Sequence, residues 1–256
     1  MDLIFNDLSG IAIVFAISVT LLAGFVKGAT GFALPMIMVS GLATILPPDV
    51  AIAALIIPTV ISNVWQSLRG GGIQAAVVVA RKFKIYISTL LVFIVIAAQL
   101  VSVMPQHVIL LMLGGPIVIL ALFILSGKTF HIRPDRRNIS EVIVGAMSGF
   151  LGGLAGIWGP LTVTYLTALD TPKKEQVRIT GVIFGVGAIV LGLAHVRTGL
   201  LNAQTLPLSL FMILPVLVGQ TLGNRVQDRL DQKKFKRLTL FVLIIAGLNL
   251  VRRGLM

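Results

Sequence analysis

The residues from Gly24 to Pro47, GFVKGATGFALPMIMVSGLATILP, return between Gly149 and Pro172 as GFLGGLAGIWGPLTVTYLTALDTP. At a constant offset of 125 residues seven of the 24 positions are identical: Gly24/Gly149, Phe25/Phe150, Gly28/Gly153, Gly31/Gly156, Pro35/Pro160, Ala43/Ala168 and Pro47/Pro172. Shared hydrophobicity does not account for this, because five of the seven are Gly or Pro in one spacing pattern. Glycine opens backbone angles closed to other residues, and proline fixes φ and removes a donor near a helix start. The repeat therefore predicts two broken-helix turns, one in each half of the chain.

The surrounding composition says what medium the turns lie in. Of 256 residues, 57% are hydrophobic and 12% charged, with a mean hydropathy of +1.02; soluble domains carry about 25% charged residues. Apolar runs long enough to cross a hydrocarbon core about 30 Å thick recur from end to end. Reading between punctuators gives ten segments, 9–26, 32–46, 50–68, 84–103, 107–126, 140–156, 160–169, 176–196, 205–224 and 237–253. The second and seventh are short and begin at a Gly/Pro cluster, the pattern of half-helices that turn back. The expected architecture is an all-α polytopic membrane protein: a first repeat 1–126, a linker 127–139 and a second repeat 140–256. Five segments per half is an odd number, so the second half runs upside down relative to the first. The two glycine turns then meet from opposite faces, as in inverted-repeat transporters.

The net charge of +12 is concentrated rather than spread. Seventeen of the 21 Lys/Arg lie in four stretches read as loops or loop edges: Arg69 to Lys84, Lys128 to Arg137, Lys173 to Arg178 and Arg225 to Arg237. Alternating segments put all four on one face, which the positive-inside rule assigns to the cytoplasm; both termini are then expected on the periplasmic side. No stacking aromatics accompany these stretches, so nucleic acid is not an expected partner. The expected partners are the bilayer and a small anionic solute; a homodimer is compatible with the reading, though no feature specifies one. The N-terminal MDLIFNDLSG has Asp2 and Asp7 ahead of its apolar run and no basic residue, the wrong pattern for a cleaved signal peptide.

Cysteine is absent, and His107, His131 and His195 are scattered without ligand spacing, so neither metal nor cofactor is expected. No Ser/His/Asp order supports an enzyme. All nine carboxylates fall at termini, in loops or at segment ends. A cation path through a membrane ordinarily needs one at depth, so an anion is the better-matched cargo.

The candidate binding residues follow from the turns. Lys27, Gly28, Ala29, Thr30 and Gly31 form the first, and Gly153, Gly156, Trp158 and Thr162 the second. Exposed N–H groups at a half-helix start favour an anion, and Gly-x-x-x-Gly spacing equally serves close helix packing. Lys27 has Gly152 at the matching position; it is either a functional charge at depth or a side chain that snorkels to the interface. Asn63 and Gln66 are polar inside the third segment, Asn63 as a substrate contact or an interhelical hydrogen bond. Trp158 is placed to wall a cavity, Trp65 suits an interfacial belt, Arg178 reads as an edge charge and His195 as a packed residue.

The form G-x-x-x-G-x-x-G-x-x-x-P opening each half resembles the sulfite exporter TauE/SafE family, as do the Leu46-Pro47-Pro48 turn, Asn63 and Gly219-x-x-x-Gly223 before a basic stretch. The resemblance spans nearly the whole chain. It implies a bacterial inner-membrane permease that exports sulfite, sulfoacetate or related organosulfonates. The chain departs from the family at Lys27-Gly28-Ala29-Thr30-Gly31, where a denser glycine run is common, and at Trp158, where an aliphatic residue is.

Overall fold

The computed structural model describes residues 10–69, 71–100, 105–126, 132, 134–169 and 171–255, which form helices and no strand. Asp2, Asp7, Asp170, the Met104 turn residue and much of the 127–139 linker lie outside the described residues. The helices are α1 (Gly10–Thr30), α2 (Leu34–Leu42), α3 (Pro48–Leu68), α4 (Gly72–Lys82), α5 (Lys84–Leu100), α6 (Gln106–Leu125), α7 (Arg137–Ala155), α8 (Gly159–Ala168), α9 (Lys173–Arg197), α10 (Leu206–Phe211), α11 (Ile213–Arg229) and α12 (Gln232–Leu255). A short 3-10 turn, Pro134–Arg136, precedes α7.

Among the described residues four spans are long and apolar enough to cross a membrane, Gly10–Thr30, Asp49–Leu68, Lys173–Arg197 and Leu206–Arg229, and the bent pair Gly72–Lys82 and Lys84–Leu100 makes a fifth if it is one span. Large apolar side chains such as Ile11, Ile119, Leu193 and Leu214 stand on the outer surface, as lipid solvation allows. The chain is a multi-pass membrane protein.

Two sequence expectations are corrected here. The stretch Arg69 to Lys84 is not a loop: α4 occupies most of it, turned 83° from α5, with Ile73, Val77 and Val78 exposed and Val79 buried. The stretches Lys173 to Arg178 and Arg225 to Arg237 are largely helix ends, the first turn of α9, the last of α11 and the start of α12. Charge marks a helix end as readily as a loop, because end residues reach water and helical backbone still satisfies its own donors. The ninth segment is also broken at Met212, into α10 and α11, and α11 runs on to Arg229.

The two halves break in corresponding places. Gly31 ends α1 at φ +86° with its N–H donated to the Lys27 carbonyl at 2.6 Å; Gly156 ends α7 at φ +70° with its N–H on the Gly152 carbonyl at 2.6 Å. Pro35 and Pro160 lie in the first turns of α2 and α8, and Pro47 and Pro172 cap α3 and α9 with near-identical angles, φ −52°, ψ 143° and φ −59°, ψ 145°. The short helices of 9 and 10 residues span about 14 Å each at 1.5 Å per residue, half a membrane. Val19 of α1 packs on Gly41 of α2, so α2 turns back along α1.

Packing partners cross between the halves. α1 pairs with α11 in parallel, since Gly24 meets Val216 and Gly28 meets Gly223. α7 pairs in parallel with α5, Gly145 on Tyr86 and Gly153 on Ile94 and Ala97. α3 and α9 are antiparallel, Gly181 meeting Gln66 and Ser67 while Gly192 meets Ile56; α6 and α12 likewise, Gly114 at Gly247 and Val251, Gly254 at Leu111. Pro58 inside α3 cannot donate to the Ala54 carbonyl, and Ser209 Oγ of α10 supplies that bond at 3.3 Å while accepting Ile57 N–H at 3.2 Å.

Candidate functional site

The segments after the two breaks lie against each other. A side chain at Gly159 would meet Phe32, and one at Gly156 would meet Pro35. Between them is a cavity of about 10 Å3, room for one water-sized group. Lys27 and Asn63 line it from one side, Gly156 and Trp158 from the other, with Phe184 across it. A side chain at Gly31 would meet Val177 and Thr180 of α9, one at Gly156 would meet Leu191, and Phe184 lies midway along the same helix. The cavity is therefore central, with one turn on each side of it.

Lys27 is the charge of the site. It is 2% exposed, and its ammonium donates to Asn63 Oδ1. Among the described residues no carboxylate pairs with it. Asn63 thus serves both as an interhelical bond and as a cavity residue. The snorkelling alternative for Lys27 does not hold, since the side chain is buried inward.

The remaining predicted residues separate into lining, framing and packing positions. Gly31 and Gly156 make the breaks, and Trp158 forms a wall, its ring 6.0 Å from that of Phe184. Thr30 Oγ1 donates to the Val26 carbonyl at 2.8 Å and approaches the Phe32 carbonyl at 3.3 Å, bracing the first turn. Thr162 Oγ1 donates to the Trp158 carbonyl and meets Tyr86 OH, both at 2.8 Å. Gln66 Nε2 reaches the carbonyls of Gly31 and Val177 and Thr180 Oγ1, at 3.0, 2.9 and 3.0 Å. Gly28 and Ala29 face Gly223 of α11, and Gly153 faces α5, so these three are set by helix packing and do not line the cavity. Trp65 is partly exposed at the surface, and His195 is buried.

Sequence reasoning missed Phe32, Ala33, Met36, Ile157 and Phe184, apolar residues with no signal of their own in a chain this hydrophobic. Ala33 does carry a structural signal: it caps α2 at φ +76°, a left-handed angle that strains any residue with a Cβ. Neither α2 nor α8 has a side-chain cap, so the first-turn N–H groups face the junction without one. Also missed was the burial of Glu141. It lies in the second turn of α7, holds Arg137 Nε at 3.0 Å, and accepts from Tyr86 N–H and Tyr165 OH at 3.3 Å each. Tyr86 OH goes on to Ser148 at 2.8 Å. This network braces the α5–α7–α8 side of the site. No group of three metal-ligating side chains occurs among the described residues.

The arrangement, a buried ammonium between two uncapped half-helix N-termini, suits an anion. A protein of Methanocaldococcus jannaschii described as a probable membrane transporter is 28% identical over 143 residues, 52% of this chain. The chain matches about half the length of that relative, 54%. No solved structure matches. The family model for the sulfite exporter TauE/SafE matches residues 16–250, nearly the whole chain, and the protein belongs to that family.

Proposed function

We propose that the protein is a secondary transporter that exports a small sulfur-containing oxyanion, sulfite or an organosulfonate such as sulfoacetate, by alternating access around the two turns. The observation that carries this is Lys27, an ammonium buried at the junction of the two half-helices with no carboxylate partner among the described residues. A buried charge is tolerated when it is paired, and a bound anion supplies the pair that the described residues do not. The membrane potential, negative inside, favours outward movement of an anion by about 2.3 kcal/mol per charge per 100 mV.

The cavity of about 10 Å3 is smaller than any such anion, so the conformation described here is a closed one. Opening requires the half-helices to part, and Gly31 and Gly156 are the hinges best suited to it. We read the halves 1–126 and 140–256 as inverted repeats in the inner membrane, with the basic helix ends cytoplasmic. Two features support this. The parallel pairs α1–α11 and α7–α5 exchange when the halves are swapped, while α3–α9 and α6–α12 map onto themselves. Because those self-pairs are antiparallel, the axis relating the halves lies across the helices, not along them.

The test is flux in proteoliposomes with radiolabelled sulfite, sulfoacetate, sulfate and acetate. Saturable sulfite flux that the sulfonate competes for is the expected result. Absence of saturable flux for every anion would overturn the assignment.

A further inference from the structure

A second cavity, of about 360 Å3, lies at the basic end between the end of α3, the start of α9 and the end of α11. Among the described residues four cations line it, Arg69, Lys173, Lys174 and Arg178, against one carboxylate, Asp228. Its floor is the N-terminus of α9, a 25-residue helix whose cap, Pro172, offers no side-chain hydrogen bond. The positive end of that helix adds to the four side chains. A helix end and surface lysines alone would be an ordinary solvated face. The distinguishing residue is Gln227, which lines the chamber: it is 4% exposed, its Oε1 accepts from Arg69 Nη1 at 3.1 Å, and its buried Nε2 has no partner among the described residues. A buried amide donor left open beside four cations is a place for an acceptor.

The chamber is also positioned. Val177 lines it and lies beside Gly31, and the next layer inward is Gln66, whose amide ties Gly31, Val177 and Thr180 together. Two amide hydrogens serve three acceptors there, which makes the layer a seam among α1, α3 and α9. Beyond it lie Lys27 and Asn63.

We propose that the basic chamber is a loading site for a small oxyanion, held by Lys174, Arg178 and the free Gln227 amide, one layer outside the Lys27 cavity and closed from it by Gln66. This rests on the transport reading for its role but not for its chemistry. Clefts lined by one sign of charge concentrate counter-ions and raise encounter rates, with a steep salt dependence.

Titration of the detergent-solubilised protein with sulfite, alongside sulfite flux, separates the two sites. Lys27→Met is expected to keep a sulfite-binding phase that Lys174→Gln weakens about 3- to 10-fold. In flux, Lys174→Gln is expected to raise KM by a similar factor at unchanged kcat and to flatten its dependence on ionic strength, whereas Asp228→Asn lowers KM. Lys84→Gln, a basic control outside the chamber lining, should leave KM unchanged. Sulfite binding in Lys27→Met without any flux in the native protein would keep the chamber and remove the transport reading. Loss of all binding in Lys27→Met, or an equal KM and salt slope in the Lys174 and Lys84 variants, would overturn the chamber. Phosphatidylglycerol bound in mixed micelles and not displaced by sulfite would assign it to a lipid headgroup and also overturn the loading role.

Discussion

Lys27 and Trp158 are coupled through the residues that match them in the repeat. Lys27 corresponds to Gly152, and Trp158 corresponds to Ala33. In the second half the indole of Trp158 lies over Gly152 and fills the space a side chain there would need. The first half has the reverse, a long side chain at 27 and a small one at 33. The site therefore has its cation on one side and its aromatic wall on the other by a paired exchange of volume. Removing the charge at constant volume should leave the fold intact. In Lys27→Met the ammonium no longer has to be buried, which helps stability, and Asn63 Oδ1 loses its donor, which costs about 1–3 kcal/mol. The expected outcome is a thermal midpoint near that of the native protein with sulfite flux down at least about 100-fold, read by unfolding in detergent and by proteoliposome assay. Ala33→Gly should raise the midpoint, because an alanine at φ +76° carries about 1 kcal/mol of strain that glycine lacks. Lys27 and Trp158 could be picked out in the sequence because a charge and a large ring are conspicuous among aliphatics. The partnership of Trp158 with Gly152 could not, since a glycine does not say what occupies the space it leaves.

Two kinds of glycine occur in these helices, and sequence spacing alone did not separate them. Gly31 and Gly156 are needed for their angles; Gly28, Gly153, Gly219 and Gly223 for closeness. A Cβ on Gly28 would come within 2.8 Å of Asn224 N and 2.9 Å of Gly223 Cα, backbone that cannot step aside. Gly28→Ala should therefore force α1 and α11 apart and cost about 1–3 kcal/mol. A Cβ added at Gly115 of α6 would meet none of the described residues beyond its own helix backbone within 4 Å, so Gly115→Ala should be neutral or stabilise by up to about 1 kcal/mol through helix propensity. Thermal unfolding of both variants in one detergent checks the pair. The bend in α3 gives a sharper case. Ser209→Ala strips the Ala54 carbonyl of the donor that Pro58 cannot supply, at about 1 kcal/mol. In a Pro58→Ala background the loss should nearly vanish, because the restored N–H of residue 58 takes that carbonyl. A double-mutant cycle reads the coupling directly. The repeat, the breaks and most helix bounds were legible because Gly and Pro act on the backbone itself. The helix α4 was not: its charged and glycine-rich flanks hid a short amphipathic run whose helicity depends on lying against α9 and α3.

At the scale of the whole molecule, the inverted reading makes a claim about sides that the chain is well suited to test, because it contains no cysteine. A single introduced cysteine is then the only thiol, and a membrane-impermeant maleimide reports which side it faces. The helix directions fix the expectation. α3 runs from Pro48 to Leu68 and α9 returns antiparallel from Lys173 to Arg197, so Arg69, Lys174 and Asp228 share one end while Leu46 and Thr198 share the other. Asp228→Cys and Lys174→Cys should resist labelling in intact cells and label after permeabilisation. Thr198→Cys and Asn202→Cys, on the turn after α9, should label from outside without it. The Gly10 end of α1 shares the side of Thr198, since α1 is parallel to α11 and α11 ends at the basic face, so it too is expected outside. Labelling of the 174 and 228 positions from outside would invert the assignment and turn the chamber into a site facing the exterior, whereas mixed labelling of positions that share an end would contradict the helix directions themselves. The same thiols add a functional reading. If the half-helices part toward the outside during export, accessibility of a cysteine at Phe184, midway along α9 and on the cavity wall, should rise from the Thr198 side when sulfite is supplied and fall in Lys27→Met, where the anion has lost its partner.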